Sequence, residues 1–315
     1  MSIGIGLGIA GFPFSGPKAF LSWVDLCEER GVDSVWLSER IVSRSPGLEL
    51  MTTFGVIAGR TERLKFGMNA IVVSLRDPLI LAKECASLDY LSGGRLLPVF
   101  GVGGELNPEF RATSRNPKGR GAQSDELLDI MAALWTGEPV TYEGKYYQYN
   151  EAVITPKPVQ DPLPLWIGGS SPAAIRRTAR IGTGWLAGLQ TPAQVAPVVA
   201  AIREQSAEAG RPLDDDHYGA GFAFRFGSRD DEVVQRQAAA LSRMPDAPDP
   251  FDYIAAGDAE AIANRVREYI GAGVSKFVLR PIADSDEEIM RQTQQLSEEV
   301  IPMFATAKMA VSAAG

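Results

Sequence analysis

The sequence predicts an α/β chain of the (β/α)8 TIM-barrel class, and three observations carry that expectation. Strand-like and helix-like signals alternate eight times along the 315 residues. That length suits a barrel, which needs roughly 250 residues and often carries insertions. Several strand signals end in glycine or small polar residues, at the end where barrels place their chemistry.

Each element rests on local residue chemistry. Ile3 to Ile9 alternates glycine with aliphatic residues and reads as the first strand. Pro17 opens a helix that runs to Gly31, a glycine stop signal. Asp33 to Leu37 is the second strand, followed by a helix at about residues 48–59. Leu64 to Val73 is the third strand. Its helix opens with Asp77 as N-cap and Pro78 at the first helical position. Arg95 to Val102 is the fourth strand.

Gly103 to Gly121 then reads as a Gly-, Asn- and Pro-rich loop. Beyond it a helix aligns Leu127, Met131 and Leu134 on one face at period 3.6. Residues 137–161 carry Tyr142 and Tyr146-Tyr147, with a hairpin turn expected at Glu143-Gly144. Pro164 to Ile167 is the fifth strand, and its helix starts at Ser171-Pro172. Gly184 to Ala187 is the sixth strand. Thr191 and Gln194 form a capping box on the next helix. His217 to Phe226 reads as one seventh strand, and Pro245 to Asp252 as a proline-rich insertion. Ala259 to Ile270 is helical, Lys276 to Leu279 is the eighth strand, and Ser285 caps the last helix with Glu288 three residues on.

An open doubly wound sheet would need a nucleotide fingerprint directly after its first strand. Gly4, Gly6 and Gly8 lie inside that strand instead, and no helix directly follows Gly101, Gly103 and Gly104. The expectation is one barrel domain over 1–315, with insertions at about 103–121, 137–161 and 243–257.

Composition narrows the function. Net charge is −8 and the pI is near 5.0, which argues against a basic nucleic-acid surface. No apolar run reaches the roughly 20 residues that cross a bilayer. MSIGIGLGIAGF lacks a basic n-region, so a cytoplasmic protein is expected. Cys27 and Cys85 share faces with Phe20, Val24, Leu81 and Leu88, and read as buried small apolar residues.

The strand exits supply the candidate site. The one histidine, His217, falls at a strand entrance with no metal-ligand spacing around it, so no metal is expected. Lys65 and Lys276 also fall at entrances, where a Schiff-base lysine would be misplaced. No G-x-S-x-G elbow offers an acyl-transfer nucleophile. By contrast, Gly168-Gly169-Ser170-Ser171-Pro172 joins the fifth strand to a helix. Its glycines let backbone amides approach a ligand, and the helix start presents free N–H groups to an anion. Arg176 and Arg177 lie one turn further in. Ser38-Glu39-Arg40 follows the second strand, Glu105 and Asn107 follow the fourth, and Arg280 follows Val278-Leu279 as a substrate-facing cation or a partner for Asp284 or Glu39. With few nucleophiles and an anion cradle, a bound organic cofactor is expected to carry the chemistry.

These stretches also resemble a known family. Ser34–Arg40, Arg76-Asp77-Pro78 through Gly93-Gly94-Arg95, Gly101-Val102-Gly103 and Arg120-Gly121 to Leu134-Trp135-Thr136 are similar to the luciferase-like flavin- and deazaflavin-dependent oxidoreductases. Pro156 to Gln160, Trp166 to Gly169 and Gly182 to Trp185 extend the likeness over nearly the whole chain. The resemblance implies a bacterial-luciferase-like barrel holding the deazaflavin F420, or alternatively FMN, across its mouth. It implies a non-proline cis peptide at Asn69-Ala70 behind the ring, and a phosphate on Gly169, Ser170 and Ser171. Ser38, Gly103, Asn107 and Gly168 would line the cofactor. Many deazaflavin members end the second strand in Asp-His, whereas Glu39-Arg40 stands here. Arginine is no base near neutral pH, so Glu39 or Glu105 becomes the candidate acid or base, with Arg40 beside an anionic ring or substrate. The expected activity is hydride transfer between F420 and a small organic substrate. Alternatives are an FMN-dependent monooxygenase and a non-catalytic flavin-binding barrel. A homodimer is expected from the same likeness.

Overall fold

A computed structural model describes residues 2–243 and 249–305. Eight parallel strand positions close into a ring. Gly4–Ile9 pairs with Ser34–Leu37 on one side and with Lys276–Pro281 on the other. The remaining neighbours follow in chain order, through Lys65–Met68 with Ile71–Val72, Leu96–Leu97 with Val99–Gly101, Trp166–Gly168, Gly184–Leu186 and Tyr218–Ala220. Every pairing in the ring is parallel, so all strand exits share one end.

The interior is packed by size complementarity. A side chain at Gly67 would come within 2.4 Å of the Trp36 ring, and one at Gly184 within 2.3 Å of Trp166. Glycine on one strand thus makes room for an indole on its neighbour, and these two rings fill the barrel beneath its mouth. Leu7, Phe66, Phe100, Phe224 and Phe277 are almost wholly buried in the same core or its continuation. Cys27 and Cys85 are fully buried, and burial pushes both thiols well above their ordinary pKa. That keeps them protonated and inert.

Helix signals read from sequence correspond to real caps. The Asp77 side chain accepts from the N–H groups of Leu79 and Ile80, both at 3.0 Å. Thr191 and Gln194 form the reciprocal capping box. Ser285 accepts from the Glu288 N–H at 3.2 Å, but the Glu288 carboxylate turns to Arg225 and Arg291 instead of returning to the cap.

Several expectations need correction. The third strand is two segments, broken at Asn69-Ala70, where the peptide is cis. The fourth is broken at Pro98, which has no N–H to donate to a ladder. The loop after it contains a helix, Pro108–Ala112, too short to show a period and capped by Asn107. The 137–161 hairpin turns at Gly144–Tyr147, closed by the Gly144 N–H on the Tyr147 carbonyl at 2.9 Å, so Tyr146 and Tyr147 belong to the turn.

The seventh strand is likewise double. Tyr218–Ala220 pairs with the sixth and eighth positions, whereas Ala223–Phe226 pairs with the eighth and with an added strand, Ile254–Gly257. The break is at Gly221-Phe222, where a side chain on Gly221 would reach within 2.2 Å of the Val278 carbonyl oxygen. The added strand lies in the segment read as an insertion at about 243–257. It was hidden because only four residues carry it. Residues 244–248 of that insertion lie outside the described residues.

Candidate active site

The exits of strands three to six surround a cavity of about 620 Å³. Its floor is made of small residues. A side chain on Gly168 would meet the Ala70 Cβ at 3.6 Å, and one on Gly101 would meet the same atom at 3.7 Å. Three neighbouring strands therefore offer a flat, shallow wall on which a planar ring can lie. Asn69, at the other side of the cis bond, also lines the cavity.

One end of this cavity is rich in unpaired backbone donors. Gly169 sits at φ +99°, a backbone region that favours glycine. Its carbonyl is drawn away by the Trp185 indole N–H at 2.8 Å. Ser171 caps the helix Pro172–Ile181 by accepting from the Ala174 N–H at 3.2 Å. Among the described residues, the N–H groups of Ser170, Ser171 and Ala173 meet no protein acceptor. They supply free donors at the positive end of a helix. Ser170 Oγ donates to Gln190 Oε1, which fixes the hydroxyl side of the turn.

Two arginines complete that end: Arg177, read from sequence as one turn into the helix, and Arg120, which was not among the expected site residues. Arg177 is buried, with Nε on Asp125 at 2.7 Å and Nη2 on the Gly121 carbonyl at 3.2 Å. Arg120 donates from Nε to the Gly103 carbonyl at 3.0 Å and lines the cavity. Its approach could have been inferred from the loop that returns Arg120-Gly121 to the mouth. Arg176 points outward and is exposed.

The other expected residues separate into distinct settings. Glu39 is buried, accepts from the Val72 N–H at 3.0 Å and from Arg76 Nε at 3.1 Å, and also pairs with Arg76 Nη2. It thereby ties the second strand's exit to the chain immediately after the cis bond. Arg76 carries Glu49 at 2.9 Å and Glu84 at 3.8 Å as well. Burial raises the Glu84 pKa, with Arg76 opposing and Glu49 and Glu39 adding to the rise.

Arg40 is exposed and borders a separate recess of about 220 Å³ with Ser38 and Ser43. Glu105 is an exposed carboxylate 3.8 Å from Arg120. Asn107 accepts from the Glu109 N–H at 3.0 Å while its amide donates to the Glu109 carboxylate at 3.1 Å. Glu109, missed from sequence, is buried and takes the Ile41 N–H at 2.6 Å, linking the loops after strands two and four. His217 lies at the opposite end, its Nδ1 2.8 Å from the Thr183 carbonyl oxygen.

Arg280 stands on the eighth strand's exit. It borders a small recess of about 180 Å³ shared with Ser38 and Asn69. It pairs with neither expected partner: Glu39 holds Arg76, and Asp284 holds Arg236 at 2.9 Å. Among the described residues its guanidinium makes no ion pair or hydrogen bond, and burial lowers its pKa.

A parallel barrel with a cavity and free backbone donors at its strand exits has the architecture of a cofactor-binding barrel enzyme. Residues 8–253 match the model of the luciferase-like monooxygenases, and the chain belongs to that family. It is 32% identical over 208 residues to an F420-dependent glucose-6-phosphate dehydrogenase of Nakamurella multipartita, a match covering 64% of this chain and 61% of that protein. The enzyme of the same name from Microbacterium testaceum is 28% identical over 323 residues, covering 91% of this chain and 93% of its own. The coenzyme F420-dependent tetrahydromethanopterin reductase of Methanopyrus kandleri has the same fold. Its TM-score is 0.80 at 21% identity, over 96% of this chain and all of that one. Among the described residues no helix is long and apolar enough to cross a membrane.

Proposed function

We propose that the chain moves hydride between the deazaflavin F420 and a small organic substrate. The observation that carries this reading is the continuity of one cavity, from the Ala70, Gly101 and Gly168 floor to the free amides after Gly169. A planar ring with an anionic tail fits that shape, and a larger side chain at any of the three floor positions would fill it. The names of the two F420-dependent relatives favour the deazaflavin over FMN.

In this reading Asn69, Ala70, Gly103 and Gly168 bound the ring, with Ser38 at its edge. Gly169, Ser170, Ser171 and Arg177 hold the phosphate. Reduced F420, when bound, supplies a hydride to an organic acceptor. Glu39 positions the third strand's exit through Val72 and Arg76. Glu105, on its loop, remains the carboxylate with freedom to take or give a proton at the mouth. Arg40 faces the rim, and Arg280 faces the substrate. Parallel titration with F420 and FMN tests the cofactor. F420 should bind at least ten-fold tighter, and equal or reversed affinity would overturn the choice.

A second reading, FMN-dependent monooxygenation, is favoured by the family's own description. Oxygen uptake with reduced FMN, matched to product formation, would establish it. The proposal also places the enzyme in the cytoplasm as a homodimer. Exposed Val56, Ile80, Tyr90 and Leu91 give the helices after strands two and three apolar contact points. Sedimentation equilibrium tests the dimer.

A further inference from the structure

We infer that the substrate is a carboxylate on an apolar body, and that Arg280 receives the carboxylate. The inference rests on the mouth being the redox site, and it narrows the substrate class.

A second chamber, of about 630 Å³, opens beside the cofactor cavity. Arg280 and Leu189 border both this chamber and the 180 Å³ recess, and Asn69 and Leu186 border both that recess and the cofactor cavity. The three spaces thus form one trough across the mouth, with Arg280 between the ring and the chamber. Gly8 beneath it leaves room for the arginine stem. A side chain there would meet Arg280 Cγ at 3.4 Å and Val278 Cγ1 at 2.6 Å.

The walls define the body of the ligand. Phe12, Leu189, Val233, Leu241 and Ile289 present hydrocarbon to the chamber. Ser45, Gln237 and Asp284 also border the chamber, but hydrocarbon dominates its wall, so most hydroxyls of a polyol would face carbon, and each unpaired polar group is costly. An alkyl or aryl body gains from the same walls.

The charges define the head group. Arg236 also borders the chamber, but Glu232 at 2.7 Å and Asp284 at 2.9 Å already offset it. Arg280 is therefore the cation left without a carboxylate among the described residues lining the trough. A single guanidinium matches a monoanion and accepts a carboxylate in a two-pronged pair. A phosphate monoester carries a charge of about −1.5 to −2 near neutral pH and would need a second unpaired cation. Among the described residues no lysine lines the chamber. This chemistry departs from the sugar phosphate named for the curated relatives.

The test is calorimetry on the full chain loaded with F420, using decanoate, decanol and glucose 6-phosphate as probes. Decanoate should bind at least about ten-fold tighter than decanol, the worth of one charge-assisted pair. Glucose 6-phosphate should bind weakest. Arg280→Met should reduce decanoate to the affinity of decanol. Val233→Trp, which narrows the chamber from a wall residue while leaving Arg280 itself unchanged, should weaken both C10 probes together. Glucose 6-phosphate binding tighter than decanoate, or decanoate affinity unchanged in R280M, would overturn the inference. F420 affinity of the unmodified protein is measured beside these. Its absence would count against the proposed function, whereas normal F420 binding with no preference for decanoate would count against the substrate class alone.

Discussion

Removing the Glu39 carboxylate separates a structural role from a chemical one. The residue is 5% exposed and faces Arg76, whose side chain is 17% exposed. Deleting one partner of a buried pair costs about 3–5 kcal/mol, because the other charge stays behind. Here the cost should fall at the lower end, since Glu49 and Glu84 still face Arg76. Unfolding entropy of roughly 2.1 cal/mol/K per residue makes each kcal/mol worth about 1.5 °C in a chain this long. Glu39→Ala should therefore lower Tm by about 4–6 °C. Glu39→Gln keeps an acceptor for the Val72 N–H and should lose less. F420 affinity should fall with stability, because Val72, held by the Glu39 carboxylate, borders the cofactor cavity. The pH profile of turnover should keep its shape in E39Q. Differential scanning calorimetry, with Arg76→Ala and the double variant, completes the cycle. The double variant should lose at least about 1 kcal/mol less than the two singles summed. An unchanged Tm with collapsed turnover and a displaced pH profile would refute the argument and make Glu39 the proton carrier.

Other outcomes follow from the same geometry. Gly168→Val should abolish F420 binding while shifting Tm little, because its side chain projects into the cavity rather than the core; fluorescence titration and a melting curve check both. Arg280→Met should raise Tm, since it removes a cation that burial disfavours and that no carboxylate among the described residues offsets. Hydrogen bonds from Arg291 and Gln292 and the Arg225 charge hold Glu288 at about 2, below its usual 4.5. A depressed carboxylate stabilises the fold above its unfolded pKa and loses that contribution as pH falls. Acid unfolding of Glu288→Gln should thus be less steep between pH 4.5 and about 2 than that of the parent. Cys27 and Cys85 should resist thiol reagents until the chain unfolds.

The alternation of strands and helices was legible because every barrel unit repeats the same local grammar: Asp77-Pro78, Thr191 with Gln194 and Ser285 all cap real helices. The turn from Gly168 to Ser171 was legible as a capped helix start after a glycine, because a glycine-rich strand exit and a capping serine state their geometry locally. What sequence reading missed depends on distant partners. Nothing near Glu39 announces that Arg76 will meet it 37 positions away. Arg120 reaches the cavity only once the loop after the fourth strand folds back. The strand Ile254–Gly257 has too few residues to show a period, and its identity comes from its neighbour, Ala223–Phe226. The lack of a partner for Arg280 became visible only when Asp284 and Glu39 were found engaged elsewhere.

The central claim is that the turn after the fifth strand grips the anionic tail of a redox coenzyme. A crystal structure of the protein with F420 tests it most directly. The account predicts phosphate oxygens within hydrogen-bond reach of the Ser170 and Ser171 N–H groups, with the deazaflavin ring lying against Ala70 and Gly168. A phosphate bound elsewhere, with those amides facing only solvent, would contradict it.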